Sequence, residues 1–212
     1  MHILNEHIVF PEISEADNEG LLAVGGDLNE QRLILAYQKG IFPWFNANDP
    51  ILWWCPDPRF VLYPSQIRVS KSMAQLFKKE YFEVTYNEAF LEVITNCGKI
   101  KRKDQEDTWI NEQMIKAYIN LHKKGLVKSV EVWKDNQLVG GLYGVDLDTG
   151  IFFGESMFSK MSNASKYGFI TLLKENNYRL IDCQIHSNHL ESLGAKHISR
   201  ASFLSLLNEN NV

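Results

Sequence analysis

The chain has 212 residues, enough for one large domain or two small ones with a substantial core. With 45% hydrophobic and 23% charged residues it has the composition of an ordinary globular protein, and its apolar runs are broken by charge or glycine before reaching membrane-spanning length. The net charge of −4 argues against nucleic-acid binding through an overall basic surface, so any such contact must use a local patch.

The start, MHILNEHIVF, carries an early glutamate and no basic region before an apolar block, which argues against a secretory signal. Cys55, Cys97 and Cys183 are odd in number and widely spaced, as expected of a reducing cytoplasm rather than a disulfide framework. Gly25-Gly26-Asp27 precedes a helical pattern over residues 29–39, with Leu33, Ala36 and Tyr37 on one side and Gly40 as its stop.

GIFPWFNANDPILWWCPDPRF follows, residues 40–60, with three of the five tryptophans and four of the six prolines. That density of proline excludes an ordinary helix. The segment reads as a stiff loop whose flat aromatic faces suit a nucleobase or an extended chain, or else as a minor core beneath the loop. Ser70 then caps a helix whose Met73, Leu76 and Phe77 face inward, and Lys71, Lys78 and Lys79 fall in the same helical window. Residues 81–85 alternate as a short strand, and Asn87 caps a helix carrying Phe90, Leu91 and Ile94 to Gly98. Lys99, Lys101, Arg102 and Lys103 form a second basic run, and the polar, highly charged stretch over residues 100–107 reads as a mobile loop. Met114, Ile115, Tyr118 and Ile119 mark a further helix ending at Gly125.

From Val127 the period changes from helical to two. Residues 127–133, 138–146 and 151–155 read as successive strands, followed by a helix over 163–176, a buried strand over 179–184, a short helix to Gly194, and a last helix capped by Ser199. Three antiparallel strands, helix, strand, helix is the layout of N-acetyltransferase-type acyltransferases. The expected fold class is therefore α+β with two lobes. Residues 1–95 form a small α/β lobe with the aromatic loop and basic helix. Residues 96–212 form a larger GNAT-like lobe with a mixed, mostly antiparallel sheet.

Within that lobe, Glu155 ends the apolar run Ile151-Phe152-Phe153, where a carboxylate needs a partner: a cationic or amine-bearing substrate, or a buried arginine of the protein. Asp182 and Gln184 lie two apart on a strand and should share a face, with Ile181, Cys183 and Ile185 on the other; a capping role for the pair is the alternative. Gly154-Glu155-Ser156-Met157-Phe158 lacks the second glycine of a nucleophile elbow, which argues against a serine hydrolase. Cys183, His186 and His189 lack a fourth ligand, so zinc is not expected. The glycines of GGLYG sit inside a strand and point to a bulge or a close approach. Residues 156–166 contain no glycine where coenzyme A enzymes of this layout present a pyrophosphate turn, so coenzyme A is disfavoured as donor.

The stretches GLLAVGGDL, YQKGIFPWF, DPILWWCPDPR, TWI, SVEVW, LVGGLYGV, FFGESMFS, NASK, LIDCQ and SLGA, in order from Gly20 to Ala195, closely resemble the leucyl/phenylalanyl-tRNA–protein transferases. The resemblance implies a monomeric cytoplasmic enzyme, without membrane contact, that moves leucine or phenylalanine, less readily methionine, from aminoacyl-tRNA to proteins beginning with arginine or lysine. The product is marked for N-end rule degradation. No cofactor, ATP or metal is implied, because aminolysis of an ester to an amide runs downhill. The same resemblance implies a relay in which Asp182 polarises Gln184, and Gln184 takes or orients the amine proton. It implies a side-chain pocket of Leu142, Glu155, Phe169 and Leu172, shaped to refuse β-branched residues. Trp44 and Trp109 are expected at the terminal adenosine, and Lys71, Lys78 and Lys79 at the acceptor-stem phosphates. Trp53 and Trp54 are expected to divide between core and pocket wall. A coenzyme A acyltransferase and a non-enzymatic RNA-binding module are the competing readings.

Overall fold

A computed structural model describes residues 2–100 and 109–209, and the basic residues 101–103 lie outside them. The first strands are β1 (His2–Leu4) and β2 (Leu21–Gly25), followed by helix α1 (Glu30–Gln38), β3 (Phe42–Pro43) and β4 (Leu52–Trp54). They form a four-stranded sheet in the order β1-β2-β4-β3, with β1 and β2 parallel. The proline-rich aromatic segment is thus partly strand. Proline is tolerated because β3 is a two-residue edge, and Trp53 and Trp54 carry the ladder.

The second sheet draws on β5 (Arg59–Leu62), β6 (Glu83–Tyr86), β7 (Val127–Lys134), β8 (Gln137–Asp146), β9 (Ile151–Ser159), β10 (Leu180–Gln184) and β11 (Lys196–Ile198). Its order is β11-β5-β10-β9-β8-β7-β6, antiparallel except where β10 runs parallel to β9. This is the mixed, mostly antiparallel sheet expected. The sheets, however, divide the chain between Trp54 and Arg59 rather than near residue 95, since β5 and β6 pair with the later strands. The strand expected over residues 81–85 is β6, but neither its alternation nor the brief β5 reveals which sheet it joins.

The helices are α2 (Lys71–Lys78), α3 (Phe90–Lys99), α4 (Glu112–Lys123), α5 (Ala164–Glu175), α6 (Asn188–Glu191) and α7 (Arg200–Asn208). Asn29, Ser70, Asn111 and Ser199 each cap as their side-chain chemistry dictates, accepting a backbone N–H three residues on. Asn87 does not cap α3: it adopts φ +62° and its side chain accepts the N–H of Ser129 on β7. Of the apolar residues that mark this helix, Leu91 is 58% exposed, because the buried face of α3 is made by Phe90, Val93, Ile94 and Cys97.

Two cores flank the large sheet. One gathers Leu33, Tyr37, Trp53, Val93, Tyr118 and Phe153, so it joins the small sheet and α1 to α3 and α4. The other joins α2 and α5 through Met73, Leu142, Phe152 and Ile170. The β8 glycines explain themselves here. A Cβ on Gly140 would stand 2.6 Å from that of Ala164 in α5, and one on Gly144 would stand 2.3 Å from the carbonyl oxygen of Phe153 at a register shift. The clash at Gly144 is with backbone, which cannot swing aside. Gly144→Ala should therefore lower stability by ~2–3 kcal/mol in denaturant unfolding, as for other overpacked positions.

Candidate active site

Glu155 emerges from β9 beneath helices of both cores and is only 8% exposed. Its Oε1 accepts from Tyr37 Oη of α1 at 2.8 Å and from Gln184 Nε2 of β10 at 2.8 Å; its Oε2 accepts from Tyr118 Oη of α4 at 3.0 Å. The two tyrosine hydroxyls also lie within hydrogen-bonding distance of each other; with one proton apiece they satisfy this contact and both Glu155 contacts together only when Glu155 itself carries a proton. Among the described residues no arginine or lysine pairs with this carboxylate, so its protein partners are three neutral donors rather than the buried arginine expected as one alternative. Burial raises its pKa from 4.5 to about 7, with the nearby Asp182 charge adding to the rise and the three donors opposing it. Burial, and then the Glu155 charge, push both tyrosines well above their usual value, which keeps them as donors.

The buried arginine serves the other carboxylate. Arg59 donates from Nε to Asp182 Oδ1 at 2.8 Å and from Nη2 to Oδ2 at 2.6 Å. Asp182 Oδ1 also accepts the backbone N–H of Gln184 at 2.9 Å. The expected relay contact is therefore absent: Asp182 meets the Gln184 main chain, while the Gln184 side-chain amide turns to Glu155. Simple strand alternation fails here because the β10–β5 register shifts between Asp182 and Gln184, and Gln184 adopts φ +62°. A non-glycine residue in that region carries a penalty of roughly 1–2 kcal/mol, so its neighbours must hold it there.

Glu155, Asp182 and Gln184 line a cavity of about 870 Å³, with Arg59, Tyr37 and Tyr118 behind them. Leu142, Phe152, Phe169 and Ile181 give it apolar walls, and Trp44 and Trp109 both face it. Leu172 does not: at 1% exposed it lies one turn farther along α5 than Phe169 and packs into the second core. Trp53 is wholly buried, its Nε1 donating to Gly25 O at 2.9 Å. Trp54 stands outside the wall and braces it, donating to Trp44 O at 2.7 Å with ring centroids 5.9 Å apart. Lys71, Lys78 and Lys79 are exposed on α2 and away from the cavity, and Phe77 of that helix stacks on Tyr167 of α5 at 4.0 Å. His186 and His189 stand at the rim. No group of three metal-ligating side chains occurs among the described residues; His186 Nε2 lies 3.1 Å from Glu191, and the Cys183 thiol is buried beside Ile181 O.

Sequence reading misses Arg59, Tyr37 and Tyr118 as parts of this centre. The two tyrosines read as core because they sit on apolar helix faces. Their signal is the hydroxyl, since a buried tyrosine O–H needs a partner.

Comparison with known proteins bears on the whole chain. A family model described as leucyl/phenylalanyl-tRNA protein transferase matches residues 61–208, and the model of that family's N-terminal domain matches residues 26–57. A leucyl/phenylalanyl-tRNA–protein transferase of Flavobacterium johnsoniae is 58% identical over 98% of this chain and 99% of its own. Those of Flavobacterium psychrophilum and Christiangramia forsetii are 52% and 50% identical, each over 98% of this chain and 99% and 100% of their own. Among solved structures, a GCN5-related N-acetyltransferase from Kribbella flavida overlays 78% of this chain and 60% of its own with a TM-score of 0.40 and 10% identity, too distant to bear on the site. Matched by the models of both parts and by relatives at half or more identity end to end, the chain belongs to the leucyl/phenylalanyl-tRNA protein transferase family.

Proposed function

We infer that this chain moves leucine or phenylalanine, and methionine less readily, from aminoacyl-tRNA to the N-terminal arginine or lysine of acceptor proteins. The observation that carries this reading is one cavity uniting apolar walls, two indoles and the Glu155–Gln184 rim, in a chain alike to such transferases over 98% of its length. A cytoplasmic monomer goes with it, and the buried thiols of Cys55 and Cys183 suit a reducing compartment. Among the described residues no helix is long and apolar enough to cross a membrane.

In this reading the donor side chain lies against Leu142 and Phe169, and the terminal adenosine stacks between Trp44 and Trp109. The ester carbonyl then stands beside Gln184. Gln184 Nε2 donates to Glu155, so its Oε1 is the end of the amide turned away from that carboxylate, and no hydrogen bond to it is made among the described residues. That oxygen is the group available to accept an N–H of the incoming α-amine and aim its lone pair at the carbonyl carbon. The C–N bond forms, the bond to the ribose oxygen breaks, and the proton lost by nitrogen ends on the departing ribose hydroxyl. An amide oxygen is too weak a base to keep that proton, so Gln184 orients rather than stores it. A free α-amine has a pKa of about 7.7–8, so part is already neutral at pH 7, and alignment can supply several kcal/mol.

Ionised Glu155 accepts only, which forces the Gln184 amide to present N–H to it and oxygen to the cavity; a protonated Glu155 would permit the opposite orientation. Turnover should therefore rise with pH through two steps, near 7 for Glu155 and near 8 for the amine. In Glu155→Gln the lower step should vanish from the pH–rate profile. Stability should run the other way. The folded pKa lies above the unfolded 4.5, so this group's stabilisation is complete below pH 4.5 and lost as pH rises through about 7. Relative to Glu155→Gln, the wild-type unfolding free energy should fall by ~1.4 kcal/mol per pH unit between roughly pH 5 and 7 in denaturant titrations.

Lys71 and Lys78 are seven residues apart on α2 and so share a face, with Lys79 beside them, a basic edge suited to acceptor-stem phosphates. Reversing all three to glutamate should weaken tRNA binding by about tenfold or more for any tRNA sequence and reduce the salt slope by about two to three. Unchanged affinity in filter binding would put the tRNA elsewhere. The function itself is tested with radiolabelled Phe-tRNA and a peptide beginning with arginine. Label should enter the peptide without ATP. Binding without transfer would favour an RNA-binding module, and acylation dependent on acetyl-CoA and indifferent to RNase would favour a coenzyme A enzyme.

A further inference from the structure

The strand bearing Gln184 is secured by a chain of buried hydrogen bonds that runs from the cavity wall into the interior behind it. The Arg59 guanidinium donates twice to the Asp182 carboxylate, at 2.8 and 2.6 Å, and that carboxylate accepts the Gln184 backbone N–H at 2.9 Å. Neither charged side chain is more than 1% exposed. The guanidinium centre sits 4.7 Å from the Phe42 ring, in the small sheet, and 4.6 Å from the Phe203 ring, on α7. Caged between two rings and gripping the carboxylate with two prongs, Arg59 fixes the plane of that carboxylate.

What the carboxylate then holds is specific. The N–H it accepts belongs to the residue at which β10 leaves regular pairing with β5, and whose φ is positive. Were Gln184 to relax to extended backbone, the side-chain parity of the strand end would invert. Its carboxamide would then leave Glu155 and the cavity. A proton relay would instead require the Asp182 carboxylate to bond the Gln184 carboxamide, yet its bonds go to Arg59 and to the main chain.

We propose that Arg59 is a positioning residue for the transfer reaction: acting through Asp182, it holds the left-handed turn at Gln184 that aims the Gln184 amide at Glu155 and the incoming amine. The turnover part of this proposal rests on the transferase reading above; the structural part does not.

The test compares wild type, Arg59→Gln, Asp182→Asn and the double variant Arg59→Gln/Asp182→Asn, each checked by thermal melting. Exchange of the Gln184 amide proton is followed by NMR, and transfer kinetics are measured with Phe-tRNA and an arginine-initiated peptide. In Arg59→Gln the Gln184 amide should exchange at least tenfold faster and kcat should fall at least thirtyfold, with KM for aminoacyl-tRNA within threefold. The double variant presents a neutral pair of carboxamides, and the oxygen of the one replacing the Asp182 carboxylate still accepts the Gln184 N–H. Protection should therefore return, and kcat should recover at least tenfold over Arg59→Gln. Unchanged exchange in Arg59→Gln overturns the proposal. So does a double variant that melts like wild type yet stays as slow as Arg59→Gln, since the carboxylate's charge would then be needed in itself. If Arg59→Gln does not fold, Arg59→Lys, which keeps charge but loses the two-pronged grip, makes the same comparison: faster exchange with lower kcat supports the proposal, and wild-type values overturn it. If even wild type transfers no phenylalanine, the transferase reading fails while amide exchange still decides the role of Arg59.

Discussion

Two carboxylates lie in the same low-dielectric interior, and the different ways in which they are held organise everything around them. Asp182 has a guanidinium on both oxygens, so its charge is matched where it stands. Glu155 has only hydroxyls and an amide, which solvate a charge without neutralising it. Burial therefore wins over its hydrogen bonds, and its pKa settles near neutrality. The neutral donors also make Glu155 a hub, since they arrive from α1, α4 and β10.

The consequence is that the small sheet is more than a flanking layer. Tyr37 lies on the helix between its strands, Trp44 extends from its edge strand, and Phe42 supplies one wall of the Arg59 cage. Phe203 of the last helix supplies the other. Segments from near both ends of the described chain thus converge on one rim in the seven-stranded sheet. Precision of this kind suits ester aminolysis, where the bond to be made is favourable and alignment of amine and carbonyl is the main demand on the protein.

The later strands and helices are readable because they are long enough to show a period. The runs beginning at Val127 and Gln137 extend over eight and ten residues, and two helices announce themselves by the caps Ser70 and Ser199. The third strand runs on to Ser159 through Ser156, Met157 and Phe158, whose mixed pattern hides its extent. Among the strands of two to four residues, β6 shows its alternation over residues 81–85 but β3, β4 and β5 carry no such signal. The small sheet therefore reads as loop, and the membership of β5 and β6 in the large sheet is visible only in their pairing. Asn87 shows the complementary limit: a good capping side chain is taken by Ser129, a bond partner 42 residues away.

By itself the sequence determined the chemical inventory: Glu155, Asp182 and Gln184 on apolar strands, indoles near a proline-rich turn, and a family signature spread from Gly20 to Ala195. Those are properties of residue type and spacing, which local physics expresses directly. Tertiary structure alone decided the pairings. Asp182 went to Arg59, 123 residues away, and Glu155 to Tyr37, 118 residues away, because a buried charge takes whichever donors the packing delivers. The single register shift at Gln184 then set which face its amide presents, and no alternation rule could foresee it.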